Sequence, residues 1–162
     1  MLPTRPATPD DAPLLTAHRH AMFAEMGKSN PESLATMSLH FAPWVRRMLA
    51  ENKYLGWIIE EERKPIESDA YPVASAGLFL LEWPPHPLDP ANHQRAYILN
   101  MYVDPTHRHQ GLAKQLIQLC LDETRRRGLH VASLHASDAG RPLYQSFDFT
   151  PSNEMHYIQP EP

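Results

Sequence analysis

One stretch constrains the fold more than any other: Tyr97-Ile98-Leu99-Asn100-Met101-Tyr102-Val103-Asp104-Pro105, followed at once by Thr106-His107-Arg108-His109-Gln110-Gly111-Leu112-Ala113. An apolar run closes on an Asp-Pro turn, and a basic loop bearing a glycine opens into a helix. The first amides of a helix have no internal acceptor and their dipoles point the same way, so this order of parts makes an anion site. Gly111 admits a phosphate to the backbone where a Cβ would obstruct it. Arg108 carries a charge that does not titrate near neutral pH. Residues 108–113 therefore read as a cradle for phosphate or pyrophosphate, with the main chain of His109, Gln110, Leu112 and Ala113 around Gly111.

The spacing is neither G-x-x-x-x-G-K-S/T nor G-x-G-x-x-G, so the P-loop and Rossmann readings lack their defining residues. It resembles the R/Q-x-x-G-x-G/A signature of the GNAT family of N-acetyltransferases, with Arg108, Gly111 and Ala113 on the fixed positions. The preceding strand, ending Val103-Asp104-Pro105, matches the family's order. Further on, Gly140-Arg141-Pro142-Leu143-Tyr144-Gln145-Ser146-Phe147-Asp148-Phe149 is similar to its second motif, a small residue, leucine-tyrosine and a Gly-Phe pair. The resemblance covers the C-terminal half closely and the N-terminal half by its order of elements. It implies a single domain over 1–162, with acceptor-side elements in 1–95 and an acetyl-CoA-binding core in 96–150.

Composition bounds what else the chain is expected to do. A length of 162 residues suits one domain with a sizeable core. No apolar run approaches a bilayer span, and Met1-Leu2-Pro3-Thr4-Arg5-Pro6 lacks the apolar stretch of a secretory signal. The single cysteine, Cys120, excludes an internal disulfide and fits a reducing, cytoplasmic setting. A formal net charge of −4 argues against nucleic acid as the main partner, because non-specific binding to phosphate backbones needs a basic surface. No membrane association is expected either.

Along the chain, elements alternate. The pattern predicts a short strand at 3–7 and a helix from Thr8 or Asp11 to Met26. Pro13 falls in its first turn and Gly27 at its stop. Asn30-Pro31-Glu32 starts a second helical segment, which Pro43 is expected to divide into two short helices within 32–52. Strands are predicted at 55–61 and 72–83, with a charged loop over 60–71, then at 95–103. A helix follows over 110–127, with Ala113, Leu116, Ile117, Cys120 and Thr124 as its buried stripe. A strand at 129–135, a short helix at 138–147 and a last strand at 155–158 complete the series. Alternation of this kind gives an α/β or α+β domain. The resemblance adds a mixed sheet of six or seven strands, splayed in the middle and flanked by four helices.

The resemblance also implies the chemistry. Acetyl-CoA is the expected acyl donor, with no metal. Its pantetheine arm carries amides and is expected along Met101, Tyr102 and Val103, pairing like an added strand through the main chain of Met101 and Val103. Its pyrophosphate belongs on 108–113. Tyr144 matches the motif tyrosine whose hydroxyl lies near the coenzyme sulfur. A phenol is protonated at neutral pH and can donate as thiolate leaves. Ser137 stands where many members have an asparagine that contacts the cofactor. Asp148 replaces the usual glycine, which predicts a positive φ there.

Relatives often carry a glutamate or histidine base on the strand before the loop, but Tyr97 and Leu99 occupy those positions here. Glu82 and His135, at the ends of neighbouring strands, are the substitute candidates. The histidine pairs His18/His20 and His107/His109 have no metal-ligand spacing. Arg125-Arg126-Arg127 reads as a solvated helix end. The resulting expectation is direct transfer of acetyl to a small-molecule or peptide amine in a ternary complex, by a chain whose relatives are commonly dimers. The competing reading is an acyl-CoA sensor or scaffold without turnover, and a third is a nucleotide-phosphate enzyme of another fold.

Overall fold

Apolar residues at strand spacing build an antiparallel meander, and helices cover both of its faces. The computed structural model describes residues 2–27, 29–61 and 70–159. The strands are β1 (Thr4–Pro6), β2 (Tyr54–Glu61), β3 (Tyr71–Glu82), β4 (Gln94–Val103) and β5 (Ala132–Leu134), and they lie in that order in one sheet. The first three pairings are antiparallel and the last, β4 with β5, is parallel. The helices are α1 (Ala12–Met26), α2 (Pro31–Ala50), α3 (Leu112–Arg126) and the short α4 (Arg141–Gln145).

β3 is buried continuously from Val73 to Leu78, as a central strand covered on both faces requires. On one face, Ala12 and Leu15 of α1 and Phe41, Val45, Met48 and Leu49 of α2 pack on Tyr54 and Ile58. On the other, Leu112, Leu116 and Cys120 of α3 pack on Val73, Leu78, Ala96 and Ile98. Leu112 joins the buried stripe of α3 where Ala113 was expected, and Ala113 is only half-buried.

Two irregularities of β4 position the site. β5 pairs with it only at Ala96↔Ala132, Tyr97↔Ser133 and Ile98↔Leu134, so from Leu99 to Val103 that edge of β4 is open among the described residues. On the other edge, Gly77 pairs with Leu99 and Ser75 with Tyr102, so Asn100 and Met101 together face a single residue of β3. Asn100 takes the extra residue's strain, with φ 55°. The bulge turns two consecutive side chains the same way. Leu99 packs among the α1 and α2 residues, and Asn100 bonds to Tyr54 and to Arg19 of α1. Met101 faces the α3 layer.

Several predicted boundaries hold. A single 3₁₀ turn at Pro9–Asp11 leads into α1, Pro13 lies in its first turn, and Gly27 ends it with φ 66°. Others need correction. Pro43 does not divide its segment, because α2 runs unbroken through it. The proline is exposed, so water can serve the carbonyl it leaves unbonded while the buried face from Phe41 to Leu49 stays continuous. The sheet has five strands among the described residues, not six or seven. The expected strand at 155–158 is absent. Residues 151–159 have no regular structure, and Met155, Tyr157 and Ile158 are exposed. β5 is shorter than predicted because Leu129 is drawn into the end of α3, its amide donating to the Thr124 carbonyl at 3.1 Å. Most of the expected charged loop, 62–69, lies outside the described residues.

Candidate active site

The turn after β4 is held by its own side chains. The Asp104 carboxylate accepts from the Thr106 amide at 2.9 Å, and the Thr106 hydroxyl and amide keep that carboxyl below the usual carboxylate range. His109 (φ 62°) and Gly111 (φ 84°) are both left-handed, and Gly111 caps the N-terminus of α3. Among the described residues, no protein acceptor takes the main-chain N–H of residues 109–114. The first helical bond here runs from the Gln115 amide to the Gly111 carbonyl, 3.1 Å. A Cβ at Gly111 would meet nothing within 4 Å, so the face above it is open. A cleft of about 820 Å³ lies over this helix start, lined by Leu2, Gln110, Gly111, Leu112, Lys114 and Phe147. The unbonded amides, the open face and the cleft fit an anionic cofactor group.

Arg108 is placed differently from the sequence expectation. Its guanidinium pairs with Glu25 of α1, and its Nε donates to the Val103 carbonyl at 3.1 Å. It ties the loop to α1, and Lys114 is the cation that lines the cleft.

The open edge of β4 follows from strand alternation. The Asp104 amide donates to Val73 on β3 at 2.8 Å, so the Val103 carbonyl, on the other side of the same peptide unit, points away from β3. The same alternation turns the main-chain groups of Met101 outward, and those of Tyr102 toward β3. Met101 and the Val103 amide thus face outward where β5 has left the sheet, while the Val103 carbonyl is taken by Arg108.

Tyr144, on α4, is 9% exposed and meets the Phe149 ring edge-on at 5.9 Å. Burial, with a smaller push from the Cys120 thiol, raises its pKa to about 12. Its hydroxyl makes no hydrogen bond among the described residues. Burial likewise pushes the Cys120 thiol up to about 12, which removes it as a nucleophile. The Ser137 hydroxyl accepts from the Gly140 amide at 3.1 Å and so starts the turn into α4. Asp148 has φ 64°, the positive value expected of a residue in a glycine position.

The two base candidates part company. His135 follows β5 directly, next to the divergence, with the Tyr97 hydroxyl against its Nδ1. Its Nε2 lies 3.2 Å from that of His156, which lies 3.3 Å from the Glu154 carboxylate. These three exposed residues bring one ligand atom each within 4.8 Å, a grouping that separation in sequence concealed. Glu82 is exposed opposite Gln94 at the other end of β4, so strand rise carries it about 17 Å from the level of Leu99. The structure does not bring it near Tyr144 or His135.

Sequence reasoning missed a polar cluster beneath the bulge. Buried His18 holds Ser75 Oγ at 2.8 Å and stacks 4.6 Å from Tyr102. Burial lowers its pKa to about 4, against a weaker upward pull from Asp104, so it is neutral at pH 7. The Asn100 amide donates to the Tyr54 hydroxyl at 3.0 Å, and Arg19 donates to the Asn100 carbonyl oxygen. The Tyr54 ring crosses Gly77, where a Cβ would fall 1.9 Å from the phenol oxygen. No periodicity marks these residues, because the fold alone gathers them.

A mixed sheet with one open strand edge, running into a helix start of unbonded amides, agrees with what the comparisons find. Residues 18–149 match the family model described as the acetyltransferase (GNAT) family, and the chain belongs to that family. A GCN5-related N-acetyltransferase from Ralstonia eutropha JMP134 is similar over 98% of this chain and 99% of its own, with 38% identity and a TM-score of 0.89. A predicted acetyltransferase from Clostridium acetobutylicum, solved with acetyl-CoA, is 26% identical over 98% of this chain and 96% of its own, with a TM-score of 0.85. Glucosamine-6-phosphate N-acetyltransferase from Arabidopsis thaliana shares the fold at 14% identity, covering 98% of each chain, with a TM-score of 0.64. No curated protein matches the sequence.

Proposed function

We propose that this chain is an acetyl-CoA-dependent N-acetyltransferase that passes the acetyl group directly to an amine bound beside the donor. One observation carries the reading. The unpaired edge of β4 from Leu99 to Val103 runs straight into the unbonded amides of residues 109–114. A thioester carrier with an amide-bearing arm and a pyrophosphate needs those two surfaces in that order. The acetyl-CoA named with the Clostridium relative supports the same cofactor.

Acetyl-CoA supplies the acyl group as a thioester. Met101 and Val103 hold the arm through main-chain hydrogen bonds. The amides of His109, Gln110, Gly111, Leu112 and Ala113 hold the phosphates, with Lys114 at the rim. Ser137 orients the cofactor from the turn before α4. His135 takes a proton from the acceptor ammonium. The amine nitrogen then bonds to the acyl carbon as the C–S bond breaks, and Tyr144, protonated at pH 7, gives its proton to sulfur. The acceptor is an amine, small or peptide-borne.

Titration calorimetry with acetyl-CoA, followed by thiol release with a panel of amines, tests this. Binding with turnover on at least one amine is expected. Binding without turnover on primary amines, amino acids, aminoglycosides and peptides would support an acyl-CoA sensor instead. Tighter binding of ATP or NAD than of CoA would remove both.

A further inference from the structure

Arg19 is a cation carried inside without a counter-charge. Its guanidinium lies between the rings of Phe23 and Phe41, its carbon 4.8 Å from each centroid. Nη1 donates to Asn100, and Nε is enclosed with no partner. Arg5, by contrast, is held by the carboxylates of both Asp11 and Glu60. Among the described residues no carboxylate pairs with Arg19. Burial lowers its pKa, and only the Tyr54 phenol pulls the other way. Glu25 and Asp104 have other engagements: Glu25 holds Arg108, and Asp104 holds Thr106 and His107.

An enclosed, unpaired charge is costly, and fixing it between two rings adds the entropy of a long side chain. The rings favour the cation and set its plane. Nη2 makes no hydrogen bond among the described residues, yet it is not among the fully enclosed unpartnered atoms, so this nitrogen, beside the Asn100-bonded Nη1, remains reachable. The Nη1–Nη2 edge offers parallel N–H groups matching a carboxylate. The position is informative too. Asn100, to which Arg19 is bonded, is the bulge residue at the start of the open edge, where the acyl group is to be transferred.

We propose that Arg19 receives the carboxylate of the acceptor, so that the substrate is an amine bearing a carboxylate. This rests on the acetyltransferase reading above and adds the acceptor's chemical class. The bound carboxylate supplies the missing counter-charge, and the helices α1 and α2 form the wall on which it docks.

The test compares matched acceptors at saturating acetyl-CoA: glycine, β-alanine and 4-aminobutyrate against their amides, with 2-aminoethylphosphonate as a second anion. In the wild type, kcat/KM for at least one amino acid should exceed that for its amide by more than tenfold. In Arg19→Gln the ratio should fall to near one through KM, while acetyl-CoA affinity by calorimetry stays within twofold. Arg19→Lys keeps the charge without the fork and should fall between, which keeps the test open if the glutamine variant does not fold. Ratios near one in the wild type, ratios that survive both substitutions, or preference for the phosphonate overturn the proposal. If no pair turns over, calorimetric binding of the same amino acids to the CoA-saturated protein decides. Binding lost in Arg19→Gln supports it, and binding that is absent or unaffected overturns it. Failure to bind acetyl-CoA at all would instead sink the acetyltransferase reading.

Discussion

Tyr144 combines two properties that rarely meet in a buried phenol. Its ring is packed, and its hydroxyl has no protein partner among the described residues. Burial raises its pKa, so the proton stays on oxygen across the neutral range, where the hydroxyl can donate to the charge that develops on a departing thiolate. Tyr144→Phe keeps the ring contacts and removes only the proton. Turnover should fall on the order of 100-fold, with acetyl-CoA affinity nearly unchanged. Steady-state kinetics beside calorimetry would measure this, and an unaltered kcat would remove the acid role. The tyrosine was legible in sequence because its motif is local. Arg19 was not, since its meaning lies in Asn100, Phe23 and Phe41, and only the folded chain places these around it.

At the level of elements, the loop from Arg108 to α3 joins left-handed backbone to a helix start. Gly111 at φ 84° sits where a side chain strains the backbone by on the order of 1 kcal/mol, yet the space above it is free. Gly111→Ala thus isolates the strain, and Gly111→Asp adds a carboxylate facing the anion site. The aspartate variant should lose acetyl-CoA affinity by roughly 100-fold and the alanine variant far less, read by calorimetry. Equal losses would mean that backbone shape, not charge, governs the site. The loop and helix were predictable because glycine and the apolar stripe are strong local signals. Pro43 misled, since its effect depends on whether it faces water, which sequence spacing does not report. Residues 155–158 misled as well. Their apolar alternation suits a strand, but they pair with no edge among the described residues. Likewise the fixed position of Arg108 in its motif was readable, whereas its engagement by Glu25 came from packing α1 against the loop.

Across the whole molecule, stability should depend on pH through His18. Burial lowers its pKa to about 4 from the 6.5 of a free imidazole. The unfolded chain therefore binds a proton that the folded one refuses. Stability contributed by the neutral ring is fully present above pH 6.5 and is lost as pH falls through 6.5 toward 4. The whole interval is worth about 3 kcal/mol. Urea unfolding between pH 4 and 7 should show the decline, and His18→Asn should flatten it. A wild type and variant that decline in parallel would assign it to other groups.

The bulge in β4 is propped from two strands away. Tyr54 fills the room that Gly77 leaves vacant, and its phenol steadies Asn100. The bulge and the interior of the sheet are therefore one piece of carpentry. Any residue larger than glycine at position 77 would dislodge that prop and warp the bulge from below.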